Sequence, residues 1–308
     1  MELAGRDGQA VLPATRGNHV GQRRDQRVAT ISGVLLSAKL APVFDYPVLE
    51  DFWRAADALG FHSVANYDHF YGLADPATPT LEGWTTLAAM GAVVRRARVG
   101  CLVSSVTYRH PAVLAKMAVS VDHISGGRMD FGIGAGWHEG EHRGYGIEFP
   151  SPGTRVDMLD EALTVIRRLW TEESVTFAGR FYTLTDALCE PKPVQRPHPP
   201  IVIGGDKPRM LRVIARHADE WNGTNGGDPQ AWAEINARLD AACREVGRDP
   251  AQIRRSVQLF LHPGQEGQVD EQLARLPEFE AAGCAHAVLS FYQPPTTAQL
   301  QRIAELRG

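Results

Sequence analysis

From about Ile31 onward, short runs rich in β-branched and apolar residues alternate with stretches whose apolar positions recur at helical spacing. That is the pattern of repeated βα units and therefore of a parallel sheet. The strand-like runs fall at 33–36, 62–66, 99–103, 129–134, 200–203, 220–222, 256–260 and 287–290. Amphipathic helices are predicted between them at 47–59, 81–94, 111–124, 155–170, 207–217, 229–246, 268–282 and 297–306. Prolines near the starts and glycines after the ends, such as Pro47 with Gly60 and Pro111 with Gly126-Gly127, punctuate several of these helices. Eight strands with eight helices in this length predict an α/β fold of the (β/α)8 TIM barrel type in preference to an open doubly wound sheet.

Two regions break the alternation. Residues 175–182 read as a hairpin turning at Ala178-Gly179, followed by the proline-rich tether Pro191 to Pro200. Together they predict an insertion between the fourth helix and the fifth strand, expected to cover one side of the barrel mouth. Residues 1–28 are polar and lack the continuous apolar run of a signal peptide or membrane anchor. They are expected to be a disordered N-terminal extension ahead of a single domain over 29–308.

Composition narrows the partners. With 32 basic and 36 acidic residues the formal charge is −4, and no basic cluster extends beyond Arg95, Arg96 and Arg98. Nucleic-acid and membrane-surface partners are therefore not expected, and a small-molecule substrate is. Cys101, Cys189, Cys243 and Cys284 have no metal-ligand spacing and lie in apolar segments, as free buried thiols in a reducing cytoplasm would.

In a barrel, chemistry belongs to the residues that follow each strand. After the second strand comes Tyr67-Asp68-His69-Phe70-Tyr71. There His69 could exchange a proton near neutral pH with Asp68 orienting it, or could merely satisfy a loop carbonyl. After the third, Val103-Ser104-Ser105-Val106-Thr107-Tyr108 is either a bulge admitting a flat ring or an ordinary polar loop. The fourth strand ends in Gly132-Ile133-Gly134-Ala135-Gly136-Trp137, which fails the dinucleotide fingerprint because Trp137 stands at the third glycine's place. Next, His138-Glu139-Gly140-Glu141-His142 matches the zinc-hydrolase pentad, with Glu161 as a conceivable third ligand. The glycines within and around it speak against a regular ligand-bearing helix, so no metal is expected. The fifth strand runs into Gly204-Gly205-Asp206-Lys207-Pro208, a candidate phosphate nest at a helix start or a plain tight turn. Tyr67, Tyr71, Trp84, Tyr108, Trp137 and Trp221 lie near strand ends and suggest an aromatic-lined pocket.

The order and spacing of these segments, with Arg109-His110-Pro111, Ser125-Gly126-Gly127-Arg128, Glu190 to Pro200 and Ala218-Asp219-Glu220-Trp221-Asn222, resemble the luciferase-like monooxygenase superfamily. The likeness is closest to its deazaflavin (coenzyme F-420)-dependent oxidoreductases. The resemblance implies a barrel with the cofactor in its mouth, a non-proline cis peptide within 103–106 behind the ring, and commonly a homodimer. It implies His69 as the catalytic residue facing the reacting carbon. It implies a cofactor-binding set of Asp68, His69, Val103, Ser104, Ser105, Gly134, Ala135, Gly136, Trp137, Gly204, Gly205 and Asp206. Some relatives carry a glutamate where this chain has Trp137, so their acid–base scheme does not transfer whole; Glu139 or Glu141 are possible substitutes. Ser37-Ala38-Lys39 also replaces the usual ending of the first strand. The expected activity is hydride transfer between the deazaflavin and a small organic molecule. The alternatives are an FMN-dependent monooxygenase on the same barrel and a non-catalytic flavin- or deazaflavin-binding protein.

Overall fold

A computed structural model describes residues 30–31, 33–224, 227–262 and 268–305; the expectation for residues 1–28 lies outside the described residues. The strands in chain order are β1 (Thr30–Ile31), β2 (Val34–Leu40), β3 (Ser63–Asn66), β4 (Arg98–Cys101), β5 (Ser104–Ser105) and β6 (Met129–Gly134). They continue with β7 (Val175–Ala178), β8 (Thr183–Ala187), β9 (Ile201–Gly204), β10 (Glu220–Gly223), β11 (Arg254–Leu261) and β12 (His286–Phe291). The helices are α1 (Tyr46–Ala58), α2 (Gly83–Val93), α3 (Pro111–Ser125), α4 (Glu139–Tyr145) and α5 (Pro152–Thr171). After these come α6 (Pro208–His217), α7 (Pro229–Glu245), α8 (Gln268–Ala274), α9 (Leu276–Ala281) and α10 (Thr297–Glu305).

Eight of the strands pair in parallel in the order β2-β12-β11-β10-β9-β6-β4-β3, and β3 pairs back onto β2 to close the barrel. Outward apolar positions of the strands meet the helices in one core that includes the fully buried Trp53, Trp170, Trp221, Trp232, Phe131 and Phe279. Caps set the helix starts at the mouth: Glu82 accepts from the amides of Trp84 and Thr85, and Ser151 accepts from Thr154 ahead of Pro152.

Four expectations need correction. The first strand runs on to Leu40, so Ser37-Ala38-Lys39 lies inside it. Ser37 and Lys39 face the polar barrel interior, which is why the apolar run looked shorter. The third strand ends at Cys101; β5 re-pairs with β6 after a cis peptide at Leu102–Val103, one bond before the expected segment. The helix expected at 268–282 is two, because Pro277 lies in the first turn of α9. The 175–182 hairpin turns later than expected, at 179–182, where Glu161 accepts from the amides of Arg180, Phe181 and Tyr182.

The insertion also sits elsewhere than expected. Its hairpin climbs the outside of α5, and its tether crosses the far end of the barrel. There Gln195 bonds Asp122, the Met129 carbonyl and Arg98. The reason is topological: a connection from helix to next strand starts at the N-terminal end of the strands, opposite the mouth.

Candidate active site

The C-terminal ends of the strands surround a cavity of about 630 Å3, a size suited to a drug- or cofactor-sized ligand. All twelve residues expected from the sequence line it, from Asp68 and His69 through Val103 to Ser105 and Gly134 to Trp137, across to Gly204, Gly205 and Asp206. The structure thus brings together segments that are up to 138 residues apart, between Asp68 and Asp206.

His69 is fixed by a residue that sequence reasoning left as an uncertain substitute. Its Nδ1 lies 2.8 Å from Glu141 Oε2. Glu141 is fully buried and also accepts from the Tyr108 hydroxyl at 2.5 Å and from the amides of Phe70 and Tyr71 at 2.5 and 3.0 Å. Burial works to raise the Glu141 pKa, but these bonds, His69 and Tyr108 foremost, outweigh it and hold the carboxyl down at about 2. An ionised carboxylate only accepts, so Nδ1 of His69 carries the proton and Nε2 is left for the cavity. Burial and the adjacent carboxylate push the Tyr108 hydroxyl up, so it stays a donor. The Tyr67 and Trp137 rings stand edge-on to the imidazole, at 5.0 and 5.5 Å.

From Glu139 on, the pentad 138–142 does enter a helix, α4, contrary to expectation. His138 caps α4 by accepting from the Glu141 amide, Gly146 closes it in the left-handed region, and the first turn is acidic while the last is basic. Gly144 is needed within the helix because a Cβ there would overlap the Tyr71 hydroxyl. The bonding of the pentad is not that of a ligand set. His142 gives Nδ1–H to the His138 carbonyl at 2.8 Å and takes the Thr107 hydroxyl on Nε2 at 2.6 Å, and Thr107 is 2.7 Å from Ser105. Glu161 is consumed by the hairpin amides.

Asp68 lines the cavity wall, yet both of its oxygens are bound by Arg109, at 2.6 and 3.0 Å, and Arg109 also bridges to Glu82. Its role is to tie the loop carrying His69 to the starts of α2 and α3. The glycines of the fourth strand serve the protein more than open backbone to a ligand. A Cβ on Gly132 would overlap the Cys101 carbonyl, one on Gly134 would meet Val103 at 3.0 Å, and one on Gly136 would overlap Ser105 Oγ. They let the strand lie against the bulge that carries the cis peptide.

On the opposite wall, Gly204 is open: the nearest atom to a Cβ there is the Asn222 carbonyl oxygen at 3.7 Å. Gly205 has φ +132, and its carbonyl accepts from Trp221 Nε1 at 2.8 Å. The amides here precede the N-terminus of α6, and Arg155 and Arg209 line the same end of the cavity, two cations the sequence did not single out. Lys207 also lines the cavity, with its side chain largely exposed and its ammonium 3.5 Å from Asp206. Of the aromatic candidates, Tyr67, Tyr108 and Trp137 line the cavity, whereas Trp84 and Trp221 are buried in the core and Tyr71 packs on Tyr145.

The luciferase-like monooxygenase family profile matches residues 23–302, and the chain belongs to that family. Among curated proteins it is 30% identical over 260 residues to F420-dependent glucose-6-phosphate dehydrogenase of Microbacterium testaceum, covering 83% of this chain and 75% of that one. It is 30% identical over 151 residues to the FMNH(2)-dependent dimethylsulfone monooxygenase of Pseudomonas putida, covering 49% of this chain and 40% of that one. Among solved structures, an F420-dependent secondary alcohol dehydrogenase superposes with a TM-score of 0.77 at 18% identity, covering 89% of this chain and 98% of the other. The protein is an oxidoreductase of the luciferase-like kind.

Proposed function

We propose that the protein moves a hydride between a deazaflavin, coenzyme F-420, and a small organic substrate. The observation that carries this reading is one cavity joining an anion-type loop at Gly204 to Asp206 with a carboxylate-oriented histidine on the far side. The residues fit a flat, phosphorylated cofactor. The amides before α6 would hold its phosphate with Arg155 and Arg209 nearby, and Val103 and Ser104 would back its ring. When bound, the deazaflavin supplies or accepts the hydride and, unlike a flavin, does not engage dioxygen.

The chain's own part is orientation and proton handling. Glu141 fixes the tautomer of His69, whose Nε2 accepts a proton from, or shares one with, the substrate oxygen at the carbon that changes oxidation state. Tyr108, Phe70 and Tyr71 keep Glu141 ionised. Four buried free cysteines are in keeping with a cytoplasmic setting.

Equilibrium binding of coenzyme F-420 and of FMN to the purified protein, read by cofactor fluorescence, tests the reading. Coenzyme F-420 is expected to bind at least ~10-fold more tightly, a difference of about 1.4 kcal/mol. Preference for FMN would move the protein to the monooxygenase branch, and binding of neither would sink both.

A further inference from the structure

Among the described residues the buried charges around the barrel are matched, with one exception. Asp57 is satisfied by three backbone amides, Asp122 by the tether, Arg255 by Asp240, Arg155 by two carbonyls, Asp68 by Arg109 and Glu220 by His286. Lys39 is 93% buried, since only 7% of its surface is exposed. Among the described residues its ammonium has no hydrogen bond or ion pair. Its contact is the Tyr67 ring, whose centroid is 5.8 Å away. Burial lowers its pKa from 10.5 to about 8, which still leaves it mainly a cation at pH 7. The neighbouring Cys101 thiol does not neutralise it, because burial pushes that group up and keeps it protonated. A desolvated cation without a counter-charge is costly, and a ligand that supplies the charge removes the cost.

Where Lys39 sits says which ligand. It is in register with Ala65 on one side and Ser290 on the other, so it projects into the barrel near the mouth. Its strand, β2, is four strands from β9 in either direction around the barrel, diametrically across from Gly204-Gly205. The cofactor's phosphate end is therefore remote from it, and His69, which follows the adjacent β3, is on its side. Beyond it opens a second cavity of about 230 Å3, which shares Lys39, Tyr67, Leu73 and Phe260 with the first. Its remaining walls include Val43, Phe44, Phe291 and Tyr292.

We infer that Lys39 anchors an oxyanion of the substrate, and that the substrate has an apolar or aromatic body, lodged in the second cavity, with one carboxylate, enolate or phenolate oxygen on the ammonium. The inference rests on the oxidoreductase reading only in naming the occupant a substrate.

The test titrates wild-type protein and Lys39→Met with benzoate and 4-nitrophenolate, each against a neutral counterpart, benzamide or nitrobenzene. Calorimetry reads these titrations with and without coenzyme F-420, and coenzyme F-420 affinity is measured separately. Wild type is expected to favour at least one anion over its counterpart by ~10-fold, and Lys39→Met to erase the preference while coenzyme F-420 affinity stays within about twofold. Whichever anion is favoured separates a carboxylate from a phenolate head. No preference in wild type overturns the inference. So does a Lys39→Met protein that keeps the preference, or one that loses coenzyme F-420 binding, which would put the ammonium on the cofactor. Lys39→Gln serves as a second uncharged variant should Met perturb the fold. A protein that discriminates these anions through Lys39 yet fails to bind coenzyme F-420 would sink the cofactor reading and leave the anchor standing.

Discussion

His69 and Glu141 are 72 residues apart in the chain and 2.8 Å apart in the fold, and the pair carries two separable consequences. Glu141→Gln keeps the shape but loses the charge that holds Nδ1–H, so turnover is expected to fall by roughly 10²-fold, the typical worth of a well-placed proton-handling group. Steady-state kinetics on whichever substrate is found would check it, with cofactor affinity as the control. The second consequence is stability. The folded carboxyl titrates at about 2 against 4.5 ordinarily, so its contribution is complete above pH 4.5 and disappears as the pH falls toward 2. A shift of that size is worth on the order of 3 kcal/mol. The Tm gap between wild type and Glu141→Gln should therefore be widest near neutrality and close in acid; a gap that does not change with pH would refute the linkage.

Lys39 runs the other way. Its folded pKa of about 8 is below 10.5, so the unfolded chain holds the proton more tightly and the lysine destabilises the fold below pH 10.5, in full below pH 8. Lys39→Met is expected to raise the Tm at pH 7 by several degrees, an advantage that fades between pH 8 and 10.5 as wild-type Lys39 loses its proton. Tyr67 and Cys101, the titratable groups packed on it, stay protonated through that window, burial pushing both up, and Tyr292, further along the same cavity, is also raised. His69 was legible as a candidate from its place after a strand, and only the family resemblance gave it a role. Glu141 was not, because its value comes from four donors on two distant segments, and spacing cannot report that convergence.

At the scale of elements, the close approach of β6 to the bulge after β4 decides the shape of the cavity floor. Gly136 has φ +77, and a Cβ there would overlap Ser105 Oγ, whereas Gly146 has φ +67 with nothing within 4 Å. Gly146→Ala should cost only the backbone term, roughly 1 kcal/mol. Gly136→Ala should cost more, roughly 2–4 kcal/mol, and also weaken cofactor binding because it moves the wall. Denaturant melts and coenzyme F-420 titrations of the two variants side by side check this; equal effects would mean that the contact with Ser105 is irrelevant. Strand and helix positions were readable because core-facing periodicity survives almost everywhere. It fails where polar side chains turn into the barrel, as at Ser37 and Lys39, and where capping outweighs helix-poor residues, as in α4, whose glycines read as a loop.

Over the whole molecule, polarity divides the barrel into two ends with different duties. Toward the closed end, Glu220 Oε1 is 2.8 Å from His286 Nδ1, His286 Nε2 is 2.7 Å from Ser37 Oγ, and Ser63 donates to the same hydroxyl. Arg98 pairs with Asp130 at 2.7 Å beside this chain, and Gln195 of the tether reaches in to bind Arg98. Burial would raise the Glu220 pKa, but His286, Ser256 and Arg254 outweigh it and bring it to about 2. None of these groups lines the cavity; their bonds run from strand to strand, the stabilising duty expected of that end of a barrel. Glu220→Gln is accordingly expected to destabilise the fold at pH 7 by on the order of 3 kcal/mol, read as a lower Tm, a loss that vanishes as the pH falls from 4.5 to 2, while coenzyme F-420 affinity is unchanged. Thermal melts across pH beside cofactor titrations decide it. If Glu220→Gln weakened cofactor binding as much as Glu141→Gln slows turnover, the two ends would be coupled through the strands, and the interior would have to be treated as one network.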